Sequence, residues 1–152
     1  MGYATGEARQ DLLDEIAQAI DHLGKALADL GGAYELLDEA SADRLEEELF
    51  RPVQLAYGRA KRTHASFAGR YRLPSRAFSQ PSPGAPSHGV KGFLETAVEA
   101  VDDADHVLVD LQDSMMPVEV GDPELRAGLA EIREAVDHTR ARAREFMRGF
   151  GR

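Results

Sequence analysis

The sequence contains no cysteine and no tryptophan in 152 residues, and it also lacks asparagine. Without cysteine the chain cannot form disulfides, use a thiolate nucleophile or bind zinc through sulfur. No apolar run approaches the ~20 residues that span a bilayer, and the first residues lack the basic and apolar regions of a secretory signal. We therefore expect a cytoplasmic protein that does not act in a membrane. The excess of arginine over lysine, 15 against 3, is typical of a GC-rich bacterial genome.

β-strands are also absent from the pattern, because no stretch alternates polar and apolar residues for the length of a strand. Instead, apolar residues recur at alternating steps of three and four in four segments, which places one apolar stripe on each of four helices. These stripes run through residues 13–37, 50–71, 90–115 and 125–150. A chain of this length fits a single domain, so the prediction is one all-α domain.

The predicted fold is an antiparallel four-helix bundle in up-down-up-down order. Thr5, Ser87 and Asp122 are predicted N-caps, and Pro123 is predicted to follow Asp122 at the first helical position. A proline- and serine-rich connection between the second and third helices is predicted to be extended and mobile in part. The predicted helices are about residues 5–39, 42–72, 88–115 and 123–149, and the connection is 73–87.

Two interruptions affect the first helical hairpin. Gly31 and Gly32 each weaken the first helix by roughly 1 kcal/mol, and Pro52 is predicted to kink or break the second. The leucine-rich segment between them needs cover, which is supplied either by the end of the bundle itself or by a second copy of the chain. The apolar residues concerned are Leu36, Leu37, Leu45, Leu49 and Phe50.

Four of the five histidines are distributed one to a helix, with His88 in the loop before the third, which is a pattern to compare with di-iron bundles. Such sites need inward-facing glutamates and Glu-x-x-His pairs, and this sequence contains no Glu-x-x-His. Only His64 takes a core position, where a hydrogen-bonded packing role is the common one. We therefore expect no metal and no cofactor.

Two short patterns resemble those of enzymes. Arg59-x4-His64 is similar to the Arg-x4-His pattern of HEPN-type ribonucleases, which are also helical bundles, although residues five apart on a helix point in different directions. The acidic pairs Glu47/Glu48 and Glu99-x-x-Asp102 resemble the magnesium-binding helices of all-α nucleotide pyrophosphohydrolases. These acidic residues lie mostly off the apolar stripes, so a solvated acidic face is their ordinary explanation.

Charge is unevenly distributed along the chain. Residues 49–94 carry eight basic and no acidic side chains, although the formal net charge of the whole chain is −9. In an up-down-up-down bundle the ends of helices two and four meet the start of helix three, which would form a basic pole. The six predicted ligand-binding residues of this pole are Arg70, Arg72, Arg76, Lys91, Arg144 and Arg148.

A structural explanation of the basic segment stands beside the functional one. Cations at helix ends stabilise the helix macrodipole, and Arg59, Lys61 and Arg62 are expected to pair with acidic flanks of the first and third helices. We expect a non-catalytic interaction protein that binds another protein or a second copy of itself. The alternative is a binder of phosphate, nucleotide or nucleic acid at the basic pole, although the net charge opposes general nucleic-acid affinity. A ribonuclease or metal-dependent enzyme is the third hypothesis.

Overall fold

The computed structural model describes residues 2–150, and every regular element in this part of the chain is helical. The prediction of an all-α protein is confirmed. Within the described residues, no helix combines the length and the apolar character that crossing a bilayer requires. The α-helices are α1 (Gly2–Leu36), α2 (Glu39–Leu45), α3 (Arg51–Arg70), α4 (Gly89–Asp113), α5 (Met116–Glu119) and α6 (Pro123–Phe150). A π-helical turn, Glu46–Phe50, joins α2 to α3, and a 3-10 turn, Pro86–His88, precedes α4.

The second predicted helix is divided at its proline, whereas α1 continues through both of its glycines. Pro52 has no N–H, and its ring would clash with the carbonyl four residues earlier in a regular helix interior. In the structure the π-helical turn lies just before α3, and the N–H of Arg51 donates to the carbonyl of Glu46, five residues earlier. Pro52 therefore lies in the first turn of α3, where its missing N–H has no intrahelical partner to lose.

One of the three predicted caps is confirmed. The side chain of Asp122 accepts a hydrogen bond of 2.7 Å from the backbone N–H of Leu125, which caps the start of α6. The other two predictions were wrong: α1 begins before Thr5, and the residue that precedes α4 is His88 rather than Ser87. A 3-10 turn leads directly into α4, so this helix begins without a side-chain cap.

The four apolar stripes meet in one continuous core. Leu13, Ile20, Leu94 and Ile132 are examples of stripe residues that are at most 1% exposed. The stripe of α3 is more aromatic than the others, because Tyr57 and Phe67 are buried there. Stripe residues near helix ends are the exceptions: Tyr34 is 41% exposed and Met115 is 58% exposed.

The helices contact one another in a definite set of pairs. α1 makes its most extensive contact with α4 and a smaller one with α3, and α6 packs against both α3 and α4. Gly32, near the end of α1, lies against the ring of Phe93 in the first turns of α4. Arg70, at the end of α3, forms an ion pair with Asp122 at the start of α6. These contacts show which helix ends lie together.

The predicted up-down-up-down order is therefore wrong. That order requires α4 to begin beside the end of α3, but α4 begins beside the end of α1, so α3 and α4 run in the same direction. The connection between them must travel the length of α3, which is about 30 Å. Its eighteen residues, 71–88, reach up to about 60 Å when extended, so the crossing is well within range.

The connection follows α1 in the direction in which that helix runs. Arg76 forms an ion pair of 3.0 Å with Asp21 in the middle of α1. Further along, the backbone N–H of Gly84 donates to the carboxylate of Asp29. Asp29 lies about two helical turns closer to the end of α1 than Asp21 does. The connection is extended, as predicted, and it is tethered at these points.

The segment between Gly32 and Pro52 covers the end of the molecule. Leu45 is fully buried and Leu49 is 2% exposed, while Leu37 and Phe50 pack partly against the core. The π-helical turn contacts α1, α3 and α6. The chain thus supplies most of the cover itself, and Leu36, 49% exposed, is the leucine left open.

An ionic network joins α4 to α6. Asp105 of α4 is only 5% exposed, and the Nη1 of Arg140 donates to it at 3.0 Å. The same guanidinium donates through Nε to Asp102 at 2.7 Å. Arg133 Nε lies 3.8 Å from the other Asp105 oxygen, and neither of these two buried atoms has a hydrogen bond. The charges of Arg133 and Asp105 therefore compensate each other in this buried position.

Candidate functional site

The structure does not bring the six predicted ligand-binding residues together. Arg70 lies beside the start of α6, and Arg148 lies in the last turn of the same helix. With a rise of 1.5 Å per residue, the two are separated by about 40 Å. The basic pole was predicted from the up-down-up-down order. Because that order is wrong, the predicted grouping of these six residues is wrong as well.

Arg70 is already occupied by carboxylates. Its Nε and Nη2 donate to the two oxygens of Asp122 at 2.7 and 2.8 Å, which is a bidentate pair. Its Nη1 lies 3.0 Å from Glu124, and its side chain is 26% exposed. Bidentate pairs of this kind are among the stronger ion pairs in proteins. Arg70 therefore joins α3 to α6 and has little capacity left for a ligand.

Asp122 accepts four hydrogen bonds from three residues. Besides Arg70, the backbone N–H of Leu125 and the hydroxyl of Tyr71 donate to it, the latter at 2.9 Å. Burial of the carboxylate opposes ionisation, but the hydrogen bonds outweigh it and lower the pKa of Asp122 to about 2. The hydrogen bond that Tyr71 donates to Asp122 raises the pKa of Tyr71. Asp122 lies directly before α6, and its carboxylate is charged at neutral pH.

The other five predicted residues lie at separate positions. Arg72 is exposed and has a positive φ of 55° just after α3. Arg76 pairs with Asp21, and Lys91 lies 3.9 Å from Glu95 on its own helix. Arg144 and Arg148 are exposed on the last turns of α6, which lie beside the first turns of α4. Lys91, Arg144 and Arg148 therefore share one end of the molecule, while Arg70 and Arg72 are at the other.

A different surface brings charged and apolar groups together, and we call it the α3–α6 groove. It consists of two adjoining open clefts of about 380 and 450 Å³, which share Arg59. The residues of α3 that line it are Arg51, Leu55, Arg59, Arg62, Ser66 and Arg70. The residues of α6 that line it are Glu124, Gly128, Glu131, Glu134 and His138.

A close approach of α3 and α6 forms the floor of the first cleft. A Cβ placed on Gly128 would lie 2.7 Å from the hydroxyl oxygen of Thr63, so the absence of a side chain at this position permits the contact. Further along the floor, Ser66 donates to Glu124 at 3.2 Å. The two helices thus approach each other closely at Gly128.

The second cleft is more apolar. Leu55 lies there 50% exposed, and it is one of the few large aliphatic side chains in the described residues with that much open surface. Ala135 and Pro52 extend the apolar surface around it, and Arg51 and Glu47 lie at its edge. Apolar patches that are rimmed by polar residues are typical of protein contact surfaces.

The two walls of the groove carry opposite charge. α3 carries five basic and no acidic side chains, and Arg51, Arg59 and Arg62 are on the groove side. The facing stretch of α6 contributes Glu131 and Glu134. The groove is therefore basic along one edge and acidic along the other.

The predicted charge partners of the basic segment are not the observed ones. Among the described residues, Arg59 and Arg62 form no ion pair with α1 or α4; they line the groove toward α6. Lys61 lies over the ring of Tyr57, with its Nζ 4.5 Å from the ring centroid. The sequence did contain the pattern for the groove wall, because residues 51, 55, 59, 62 and 66 follow steps of four, four, three and four.

The resemblance to the ribonuclease pattern gains no geometric support. Arg59 lines the groove toward α6, whereas His64 is buried on another face of α3, with its ring edge-on to Phe78 at 5.0 Å. Burial lowers the pKa of His64, with Arg76 adding to the effect and Asp14 opposing it. His64 is a packing residue, as predicted, although it packs against an aromatic ring.

The acidic pairs also remain separate from one another. Asp102 is engaged by Arg140, and Glu48 lies 3.7 Å from Arg44. Within residues 2–150, no three side chains of the types that ligate metals are grouped closely enough to hold an ion. No protein-family model, curated protein or solved structure matches this chain. The function must therefore be inferred from the residues and their geometry.

Proposed function

We propose that this protein acts without catalysis, by binding a polypeptide partner in the α3–α6 groove. The observation that supports this proposal best is the combination of a half-exposed Leu55 with a basic and an acidic wall. Apolar contact supplies affinity in such surfaces, and the surrounding charges select the partner and its orientation. The proposed site of action is the cytoplasm.

The scaffold in this proposal is a single-domain four-helix bundle. α1 and α6 run in one direction and α3 and α4 in the other, which is an arrangement with one long crossover connection. The pairwise contacts of α1 with α3 and α4, and of α6 with the same two helices, support it. In such a bundle each outer groove between neighbouring helices is a surface on which another helix can lie.

The length of the groove favours a polypeptide over a small molecule. It follows α3 from Arg51 to Arg70, a distance of about 30 Å. A small ligand would fill one cleft and leave the other open to solvent. A helix or an extended segment would cover both and bury Leu55 together with the stems of the arginines.

A second candidate function is supported by the first cleft alone. Arg59 and Arg62 lie there beside the hydroxyls of Thr63 and Ser66, and this combination suits a phosphate or carboxylate group. If a free anion binds, phosphate should raise the melting temperature above that in chloride at equal ionic strength. Arg59→Ala with Arg62→Ala should remove that gain. Equal melting curves in phosphate and chloride would eliminate this alternative.

Site-specific photo-cross-linking tests the main proposal. A benzophenone amino acid replaces Leu55 in one variant and His106, exposed on α4, in the control. In the cells that produce the protein, the variant at position 55 should form discrete adducts with a polypeptide identified by mass spectrometry. These adducts should disappear when Arg59 and Arg62 are changed to Glu. Equal cross-linking at positions 55 and 106, or none at either, would contradict the proposal.

A further inference from the structure

We infer that the partner in the α3–α6 groove is the same groove of a second copy of this chain, with α3 of each copy lying over α6 of the other. This inference names the partner of the surface proposed above and therefore rests on that proposed function. It comes from the distribution of charge across the groove and from the position of Leu55 within it.

Charge decides between the two ways in which identical faces can meet. In a symmetric dimer the two-fold axis lies in the interface, either across the helices or along them. An axis across the helices places α3 over α3 with the heights reversed, so that a helix with five basic and no acidic side chains lies against its own copy. An axis along the helices places α3 over α6, so that Arg59 and Arg62 meet Glu131 and Glu134 of the second copy. Like charges that face each other are unfavourable, so the second arrangement is selected.

The heights of the residues agree with this arrangement. Rotation about an axis along the helices preserves the height of each residue, so the partner of Arg59 is whatever lies at its level on α6. Arg59 shares one cleft with Glu131 and the other with Glu134, which places these carboxylates at its level. Leu55 is level with Ala135 and His138 by the same criterion. The dimer therefore places an apolar centre next to an ionic region.

The available area is consistent with a reversible dimer. A face about 30 Å long and two helices, or about 20 Å, wide covers about 600 Å² per copy. The total of about 1,200 Å² is at the lower limit for specific interfaces. Interfaces near this limit are often transient, so the monomer and the dimer are expected in one concentration series.

A second copy satisfies the groove better than a partner of one charge. An acidic peptide would pair with α3 but would meet Glu131 and Glu134 of the other wall, and a basic peptide would meet the arginines. The groove itself carries the complementary arrangement, basic beside acidic with a leucine between. Self-pairing places Arg59 and Arg62 opposite Glu131 and Glu134 of the second copy.

Sedimentation velocity over a range of micromolar concentrations tests the surface. The wild type should shift from monomer to dimer with concentration, and Leu55→Asp should weaken the dimer by about tenfold or more, since it places a charge at the apolar centre of the interface. The matched control is Leu36→Asp, because Leu36 is 49% exposed where Leu55 is 50% exposed. It should leave the dimer unchanged. A monomeric wild type at high micromolar concentration, or equal effects of both variants, would overturn the inference.

A charge-exchange experiment tests the orientation. One variant combines Arg59→Glu with Arg62→Glu, and the other combines Glu131→Arg with Glu134→Arg. Each alone should be monomeric, because like charges then face each other across the two-fold axis. An equimolar mixture should form a heterodimer, since every facing pair is again opposite in sign. Glu99→Arg with Asp103→Arg, on the exposed side of α4, makes the same change in net charge and should leave wild-type self-association intact.

The outcomes separate this inference from the proposed function. If the mixture stays monomeric while both variants are folded by circular dichroism, the orientation is wrong. If the wild type is monomeric but position 55 cross-links to another protein in cells, the self-pairing fails and the proposed function stands. If position 55 cross-links to no protein, both fail.

Discussion

Asp122 joins the end of α3 to the start of α6 through three residues, so its removal should be costly. It caps α6 through Leu125 and holds the end of α3 through Arg70 and Tyr71. Replacing an N-cap residue by alanine costs about 1 kcal/mol, within a range of about 0.5–2. Asp122→Ala should therefore lower the free energy of unfolding by at least this amount in urea titrations at pH 7. Asp103→Asn, an exposed substitution on α4, should leave it nearly unchanged.

The pH dependence of Asp122 has a definite sign. Its folded pKa of about 2 lies below the ordinary aspartate value of 3.8, so the unfolded chain binds the proton more readily. The contribution is complete above pH 5 and is lost as the pH falls through 3.8 toward 2. The stability difference between wild type and Asp122→Asn should shrink over this acidic range. A difference that stays constant from pH 6 to pH 2 would contradict the assigned hydrogen bonds.

His64 should make the protein less stable at mildly acidic pH. Burial, with a smaller effect of Arg76, lowers its folded pKa below 6.5, so protons bind preferentially to the unfolded chain. Stability should therefore fall as the pH decreases from 7 through 6.5. His64→Gln, measured by urea titration at several pH values between 5 and 7.5, should have a flatter profile. An unchanged slope in this variant would show that other groups are responsible.

At the scale of the helices, the two adjacent glycines of α1 should respond in opposite directions. Gly31 has open space where a Cβ would lie, and Gly31→Ala should stabilise the helix by about 0.5–1 kcal/mol. A Cβ on Gly32 would lie 2.8 Å from the buried ring of Phe93, and Gly32→Ala should destabilise by about 1–3 kcal/mol. Paired thermal melts measure the difference. Two variants of equal stability would contradict the packing of α1 against α4.

Two leucines on either side of Pro52 test how the end of the molecule is covered. Leu49 is 2% exposed, and Leu49→Ala should cost about 2–4 kcal/mol, as is usual for a buried leucine. Leu55 is half exposed, so Leu55→Ala should lower the free energy of unfolding of the monomer much less. Urea titrations below the concentration of dimer formation make the comparison. Similar losses for both would mean that the π-helical turn does not close the core.

The elements were more predictable from the sequence than their order. Helices are local, and the steps of three and four between residues such as Leu13, Ile16 and Ile20 determine which face is buried. The direction of α4 depends on where an eighteen-residue connection leads, and no periodicity records this. The length of that connection was the available indication, because neighbouring helices in a hairpin need only about 2–8 residues.

The site was missed for a related reason. The basic pole required Arg70 and Arg148 to meet, and that followed only from the assumed order. The groove wall was visible in the sequence as Arg51, Leu55, Arg59 and Arg62, but an exposed stripe gains meaning only when the opposite wall is known. The acidic wall lies more than sixty residues later in the chain, at Glu131 and Glu134.

At the scale of the whole molecule, the groove exists only if α3 and α6 are neighbours with the end of one beside the start of the other. The same arrangement places the end of α3 and the start of α4 at opposite ends of the molecule. The absence of cysteine makes this testable, because introduced cysteines are labelled without background. Gly69 and Lys91 are exposed positions at the two ends in question.

The most direct measurement is the distance between spin labels at Gly69→Cys and Lys91→Cys, obtained by double electron–electron resonance at a concentration that favours the monomer. The contacts predict a separation of about 30 Å or more, because the labels differ in height by nearly the length of α3. An up-down-up-down bundle would instead place both labels at one end, about 10–15 Å apart. The long distance would support the arrangement that forms the groove. The short one would contradict it, and with it the proposed binding surface.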